Sequence, residues 1–454
     1  MFSTSDTIVA VATPSGRGGL GVVRLSGPDA HPIARALIGR QAPLEPRRAT
    51  LSHLRAGLPA DHVVATYFPG PRSYTTEDVV EISAHGSPVV LRQIVRAAIE
   101  RGGRLARPGE FTFRAFVNGR IDLTQAEAVA DLIEAVTPRQ ARAASAQIDG
   151  ALAARLRAID GALFDLIARL EASLDFPDEG YHFVEPGRLL AGLEALRADL
   201  RVLLAPSQQG RLVREGARVV LLGRPNTGKS SIFNVLCRSE RAIVTPVPGT
   251  TRDVIAETID VGGVPVTLVD TAGVRETSDQ VEREGVRRAA AAGAAADLVL
   301  AVLDVSGPLG AADRELLRET EDRPRLLVIN KCDCSPAWDL AELQAGRSSA
   351  CRVSALTGEG FDALLASLAE RLGAPSETAE SPLVTNERHI DLLARCAAAL
   401  ERAAVASQRG GSQTPEELLL LDLHTAREAL DELAGRRTAD DVLARIFERF
   451  CIGK

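Results

Sequence analysis

The run Gly223-Arg224-Pro225-Asn226-Thr227-Gly228-Lys229-Ser230 narrows what this chain can fold into more than any other stretch. It follows the apolar segment Arg218-Val219-Val220-Leu221-Leu222 and leads into an amphipathic helix, Ser231 to Cys237. Strand, glycine-bearing loop and helix in that order are the context in which G-x-x-x-x-G-K-[ST] cradles phosphate. The glycines let backbone N–H groups converge on anionic oxygens, and the helix N-terminus adds positive potential. Lys229 reaches the terminal phosphates as a point charge, and the Ser230 hydroxyl ligates magnesium. The competing reading is an ordinary glycine turn before a helix, which does not account for all eight positions.

Residues 216–375 around this loop alternate strands and helices, the pattern of a doubly wound sheet. Thr258–Val261 and Val264–Val269 read as strands joined at Gly262-Gly263, a hairpin turn. Leu298–Leu303, Leu326–Ile329 and Cys351–Val353 are short, buried-type strands. Four further motifs follow the phosphate loop. In Gly249-Thr250-Thr251-Arg252-Asp253 a Thr hydroxyl completes the magnesium shell and senses the γ-phosphate. Asp270-Thr271-Ala272-Gly273 ends a strand and places a carboxylate near the metal. In Asn330-Lys331-Cys332-Asp333, Asp333 accepts hydrogen bonds from guanine N1 and N2, while the Lys331 stem packs over the base. Ser354-Ala355-Leu356 closes over the guanine edge. Each motif alone is weak; five in order define a guanine-nucleotide site. Nucleotide contacts are therefore expected from Asn226 through Ser231 and from Thr245, Pro246, Val247, Pro248 and the Gly249 motif.

The hydrolytic apparatus departs from the Ras pattern. The position after Asp-Thr-Ala-Gly, where Ras-like proteins carry a water-orienting Gln, is Val274, and an apolar side chain cannot position water. Asn226 offers an amide oxygen beside the phosphates, and the loop 245–250 adds carbonyls. Such all-oxygen ligation suits a monovalent cation in place of an arginine finger. For water orientation the candidate is Glu282, within the charged segment Asp279–Arg288; the competing reading is a solvated helix start.

A net charge of −7 and a pI near 5.7 leave no global basic field to recruit nucleic acid, so RNA contact is local or comes through a partner. No apolar run reaches bilayer length and no signal peptide is apparent, so no membrane role is expected. The six cysteines show no metal-ligand spacing and read as reduced thiols of a cytoplasmic protein. Of 53 basic residues only Lys229, Lys331 and Lys454 are lysine. Two of these lie in nucleotide motifs; a compact ammonium retained at 454 singles out the last residues too.

The flanks differ from the nucleotide segment. Residues 1–118 read as a mixed α/β or β-rich domain. Strand-like runs Ile8–Ala12 and Leu20–Leu25 flank Gly16-Arg17-Gly18-Gly19, and a helix is expected from Ser87 to about Arg101. Gly16, Gly18 and Gly21 formally satisfy G-x-G-x-x-G, but a strand-like run follows where a dinucleotide fold needs a helix. Glu81, inside an apolar run, reads more readily as solvent-facing than as a ligand contact. Residues 119–215 carry helical spacing, with Leu123, Val129, Leu132, Ile133 and Val136 and then Leu152 to Leu170 read as two long helices. Residues 376–454 are helical again, so the flanks read as one helical domain with 216–375 inserted.

These features together resemble the MnmE (TrmE) family of tRNA-modification GTPases. The resemblance rests on Asp6-Thr7-Ile8-Val9-Ala10, the Gly16–Gly21 loop, Asp175-Phe176-Pro177-Asp178-Glu179, the Gly249 motif and the ending Cys451-Ile452-Gly453-Lys454. It implies an N-terminal domain that binds a tetrahydrofolate derivative (formyl or methylene form) and makes a homodimer, a helical domain, and an inserted Ras-like G domain. It implies a complex with the flavoprotein MnmG that adds an aminomethyl or carboxymethylaminomethyl group at carbon 5 of the tRNA wobble uridine. Carried over by position, potassium falls on Asn226, Thr245, Val247 and Thr250, and magnesium on Ser230 and Thr251. The water-orienting residue falls on Glu282, and folate contacts on Arg24, Glu81, Arg120 and Lys454. Arg120 departs from the family's usual Lys. Cys451 is expected to be catalytic in the modification, with the tail folded back toward the folate site. The alternative is a GTP-dependent ribosome-assembly switch, which a fused RNA-binding domain or a basic tail would favour; neither is visible.

Overall fold

The computed structural model describes residues 5–55, 61–175, 186–238, 255–270, 296–339, 350–376, 384–410 and 416–453. The first sheet comprises β1 (Ile8–Val11), β2 (Gly18–Ser26), β3 (Thr50–His53), β4 (His62–Phe68), β5 (Val79–Gly86) and β6 (Arg104–Leu105), in the order β3-β4-β5-β2-β1-β6. All pairings are antiparallel except β1 with β6. β2 begins at Gly18 and runs back along β1, which removes the dinucleotide reading of the Gly16 loop. Helices α1 (Ala30–Leu37) and α2 (Pro88–Ile99) cover one face. Alternation follows from the pleat: Val63, Ala65, Val80, Ile82 and Ala84 pack with Ile33, Leu37, Leu91 and Ile94, while Thr66, Glu81 and Ser83 take the other face.

Next come α3 (Glu110–Val117), α4 (Leu123–Glu134), α5 (Pro138–Ile148), α6 (Ala151–Asp175), α7 (Pro186–Leu204) and α8 (Ser207–Glu215). The stretch read as two long helices up to residue 174 is therefore three. Besides the break at Pro138, Gly150 takes φ +85 and separates α5 from α6, whereas Gly161 stays inside α6. Of the residues at helical spacing, Leu132, Ile133 and Val136 are exposed at 39, 44 and 37 %, and Val136 lies past the end of α4. α6 instead buries Leu152, Leu156, Ile159, Leu163, Ile167 and Leu170, with α13 (Glu416–Ala434) packed against it; α12 (Glu387–Gly410) precedes α13 and α14 (Asp440–Phe447) follows.

The second sheet holds β7 (Ala217–Leu222), β8 (Ile255–Val261), β9 (Val264–Asp270), β10 (Leu298–Asp304), β11 (Arg325–Asn330) and β12 (Ala350–Arg352), ordered β12-β11-β10-β7-β9-β8. Only β8 is antiparallel to its neighbour. α9 (Lys229–Arg238), α10 (Ala311–Glu319) and α11 (Phe361–Leu372) pack about it. Its strands read as near-continuous apolar runs because helices cover both faces. The chain divides into two compact units. One joins residues 1–133, 147–197 and 395–454; the other joins 134–146 with 198–394.

The first unit contains a buried ionic cluster that the sequence did not announce. Arg114, fully buried, donates to the Asp6 carbonyl at 2.7 Å, to the Asp6 carboxylate at 2.5 Å and to both Glu77 oxygens at 3.1 and 3.2 Å. Arg104 bridges Asp6 at 2.7 Å and the buried Glu110 at 2.5 Å. Removing one partner strands buried charge, so Arg114→Leu should cost about 3–5 kcal/mol. Urea unfolding of the intact chain, followed in its first-unit transition, checks this; an unshifted midpoint would show the cluster to be dispensable. Burial alone would raise the Asp6 carboxyl, but hydrogen bonds from Arg104 and then Arg114 hold it below its ordinary value. Its contribution is therefore complete above the unfolded-state value and is lost as pH falls through the lowered native one.

Candidate nucleotide site and a second cleft

The C-terminal ends of the parallel strands form one edge, where ligands of such sheets bind. Register puts Leu221 beside Asp270, Ala301 beside Leu222, Asp304 beside Asn330 and Ile329 beside Arg352. The phosphate loop leaves β7 here and enters α9 at Lys229. Asn226 sits at φ +65 and Gly228 at φ +91. A Cβ on Gly223 would lie 2.6 Å from the Val302 carbonyl, and one on Gly228 would lie 2.2 Å from Asn330 Nδ2, so both positions require glycine. Lys229 Nζ donates to the Gly223 and Arg224 carbonyls, each at 2.9 Å, which holds the ammonium across the loop. Asn226, Ser230 and Ser231 are exposed at its mouth, Thr227 is buried beneath it, and Asp270 is buried at the end of β9.

Asn330 joins this loop to the base side. Its Nδ2 donates to the Thr227 carbonyl at 2.8 Å, and its Oδ1 accepts from the Ala355 N–H at 3.1 Å. Asp333 Oδ1 accepts from Ser354 Oγ at 2.5 Å, and Ser354 Oγ accepts from the Thr357 N–H at 3.1 Å. The Ser354 hydrogen bond, and then its own backbone, keep the Asp333 carboxylate below its ordinary value, so it is an acceptor at neutral pH. Leu356 is 85 % exposed at the rim. The motif reading missed Asp304, whose Oδ2 accepts from Lys331 Nζ at 2.7 Å. Burial would raise Asp304, but Lys331 and Ser306 outweigh it and lower the carboxyl. Trp338 Nε1 donates to the Asp304 carbonyl at 3.0 Å. The sequence offered only an acidic residue closing an apolar strand; its register with Asn330 comes from the sheet. Thr245, Pro246, Val247, Pro248, Gly249, Thr250, Thr251, Thr271, Ala272, Gly273 and Glu282 lie outside the described residues.

A second cleft, of about 500 Å³, opens in the first unit between Phe68, Ser73, Tyr74, Glu81 and Arg120. Glu81 is not simply solvated: Arg24, its neighbour across the strands, donates to Glu81 Oε1 through Nε at 2.9 Å and Nη2 at 2.8 Å. The Arg24 guanidinium also lies 5.4 Å from the Tyr74 ring centre. Arg120 donates to the Ser73 carbonyl. The chain's last described residues reach the same corner. Ile452 bridges Pro108, the Cys451 carbonyl accepts from the Gly109 N–H at 3.4 Å, and the Gly453 carbonyl accepts from Arg24 Nη1 at 3.4 Å. Cys451 is exposed, whereas Lys454 lies outside the described residues. All six cysteines are free thiols; burial pushes Cys237 up to about 11 and Cys396 up to about 12.

A lysine-serine phosphate loop at the C-terminal edge of a largely parallel sheet, tied through Asn330 to the Ser354-Ala355 loop that holds Asp333, defines a P-loop nucleotide-binding domain. Residues 7–120 match the family model described as GTP-binding protein TrmE N-terminus, and residues 123–451 match that of the MnmE helical domain. The chain is 45 % identical to the tRNA modification GTPase MnmE of Koribacter versatilis, over 100 % of both chains. With that of Chloroflexus aurantiacus it shares 46 %, over 99 % of this chain and 100 % of the relative. The G domain of the T. maritima FeoB iron transporter aligns at 26 % identity and TM-score 0.26, over 34 % of this chain and 98 % of that one. The chain belongs to the MnmE family of tRNA modification GTPases.

Proposed function

We propose that this chain hydrolyses GTP and couples hydrolysis to modification of the tRNA wobble uridine at carbon 5, in a complex with the flavoprotein MnmG and with a tetrahydrofolate one-carbon donor. The observation that carries the nucleotide half is the Asn330 side chain, which bonds the phosphate loop at Thr227 and the Ala355 N–H, next to the Ser354 that donates to Asp333. Ser230 and Thr251 would hold magnesium, with the buried Asp270 at the end of β9 as the nearby carboxylate, and the ion would supply charge neutralisation for the β- and γ-phosphates. The left-handed turn at Asn226 presents its amide at the loop mouth, which suits a potassium ion shared with Thr245, Val247 and Thr250. Glu282 orients the attacking water.

GTP hydrolysis should then be fast in KCl and slow in NaCl at equal ionic strength. Asn226→Ala should erase the difference with GDP affinity nearly intact, and equal rates in both salts for the parent would remove the potassium assignment. In the same assay Glu282→Ala should lower kcat by about one to two orders of magnitude with little change in nucleotide affinity. An unchanged kcat would return Glu282 to a surface role.

The second cleft is the proposed folate site. Its volume suits a pterin-sized ligand; the Glu81 carboxylate in its lining would accept from N–H donors, and Arg120 in the lining, with Arg24 bonded to Glu81, would meet carboxylates and carbonyls, as Lys454 is proposed to do. The donor supplies the one-carbon unit. The sheet face opposite α1 and α2 has Leu51 70 % exposed and is the surface proposed for pairing two copies, which light scattering tests. The cytoplasm is the proposed location, where tRNA is at hand as substrate. Nucleoside analysis of tRNA from a strain lacking this chain, with and without its return, decides the modification reading.

A further inference from the structure

The first turn of α5 belongs to the unit that holds the nucleotide site, although its helix leads the chain into the other unit. Thr137-Pro138-Arg139-Gln140 is a capping box. Gln140 N–H donates to Thr137 Oγ1 at 3.2 Å, while Gln140 Oε1 accepts from Thr137 N–H at 3.0 Å. The same Thr137 hydroxyl, 3 % exposed, donates to the Gly263 carbonyl at 3.0 Å. Arg139, 4 % exposed, lies across the β8–β9 turn: a Cβ on Gly263 would be 2.8 Å from its Nε and 2.9 Å from its Cβ. Arg139 Nη2 donates to the Ser376 carbonyl at 2.6 Å, and Gln140 Nε2 to the Arg214 carbonyl at 3.0 Å, one residue before α8 ends. The other side of the turn is closed by Ala369 and Ala374, each 3.7 Å from where a Gly262 Cβ would stand.

What this clamp holds gives it meaning. β8 and β9 pair from Ile255–Asp270 at the nucleotide edge to Val261–Val264 at the tip. Each strand has seven residues, so the tip lies about 20 Å from Asp270 at 3.3 Å per residue. In sequence, the Gly249-Thr250-Thr251 segment enters β8 and Asp270-Thr271-Ala272-Gly273 leaves β9. The one hairpin therefore joins both segments that read the γ-phosphate. Its far end is gripped by a helix cap rather than by solvent. A paired ribbon is stiff along its length, and Gly262 and Gly263, at φ +64 and +86, fix the turn while Asp260 Oδ1 accepts the Gly263 N–H at 2.6 Å.

We propose that Thr137 and Arg139 are positioning residues that pass the nucleotide state, through the β8–β9 hairpin, to α5 and so to the modification reaction. This rests on the GTPase reading above and adds the route. Thr137→Val keeps the side chain's size but removes the hydroxyl that caps α5 and holds Gly263; Thr137→Ser keeps the hydroxyl and serves as the rescue. With the full chain and its flavoprotein partner, Thr137→Val and Arg139→Ala should keep GTP hydrolysis and GDP affinity near the parent's. Wobble-uridine modification should fall about tenfold, the scale of mutational effects on coupling between sites, and Thr137→Ser should restore it. Hydrogen exchange supplies the readout that a merely structural role would not move. In the parent, protection of the α5 first turn should differ between GDP and a non-hydrolysable GTP analogue, and in the two variants that difference should vanish. Nucleotide-independent exchange at α5 in the parent, or a difference that persists in both variants, overturns the route. Loss of hydrolysis in the parent would instead overturn the GTPase reading.

Discussion

Asp333→Asn should lose about two orders of magnitude or more in GDP and GTP affinity and gain binding of xanthosine nucleotides, as expected where a site's hydrogen bonds must match the ligand. Guanine presents N1–H and the N2 amino group, two donors that a carboxylate accepts together. An amide has one acceptor and one donor, so it leaves one guanine donor facing another donor. Xanthine replaces the amino group with a carbonyl and matches the amide. Ser354 already holds Asp333 Oδ1 at 2.5 Å, so the side chain is oriented before nucleotide arrives and the substitution alters chemistry more than position. Calorimetric titration with guanosine and xanthosine diphosphates decides the matter; unchanged GDP affinity would mean that the base sits elsewhere.

Cys451→Ser should abolish or greatly reduce wobble-uridine modification in vivo while leaving folding and GTP hydrolysis as they were. The tail is held by groups the exchange does not touch. The Cys451 carbonyl takes the Gly109 N–H, Ile452 bridges Pro108, and a Cβ on Gly453 would stand 2.2 Å from the Val11 carbonyl. A serine hydroxyl in that frame changes only the sulfur's chemistry. Burial disqualifies Cys237 and Cys396 as thiolates near neutrality, whereas Cys451 is exposed. Deleting Ile452–Lys454 should in addition weaken folate binding, because the Gly453 carbonyl meets Arg24. Normal modification by the serine variant would leave the thiol without a catalytic part.

The nucleotide sheet was legible because its signals are local: loop glycines, an apolar strand and a helix start lie within a few residues of one another. Asp304 was not, since its tie to Lys331, 27 residues on, depends on the register of two neighbouring strands. The N-terminal unit hid more. Glu81 reads as solvated until Arg24, 57 residues away, is placed on the neighbouring strand. Arg114 looks like any surface arginine, because burial of a cation is decided by carboxylates at positions 6, 77 and 110 that no pattern of spacing connects. Helical periodicity over 123–136 found α4, whose Leu123 is buried with Val129 packed beside it, but it ran past the helix end at Glu134 and took in Leu132 and Ile133, which are exposed. It reports that one side is apolar, not that anything covers it.

The contact from Arg24 to Gly453 spans 429 residues. During synthesis at ordinary rates, Arg24 emerges on the order of tens of seconds before the residue that faces it is made. The strands of the first sheet can pair in that interval, because their partners lie close in sequence. The corner where β1, Pro108 and the tail meet cannot. A chain stopped short of Gly453 therefore has its whole phosphate loop and second sheet but lacks the partner of Arg24, and it should still bind guanine nucleotide while the corner proposed for folate stays open.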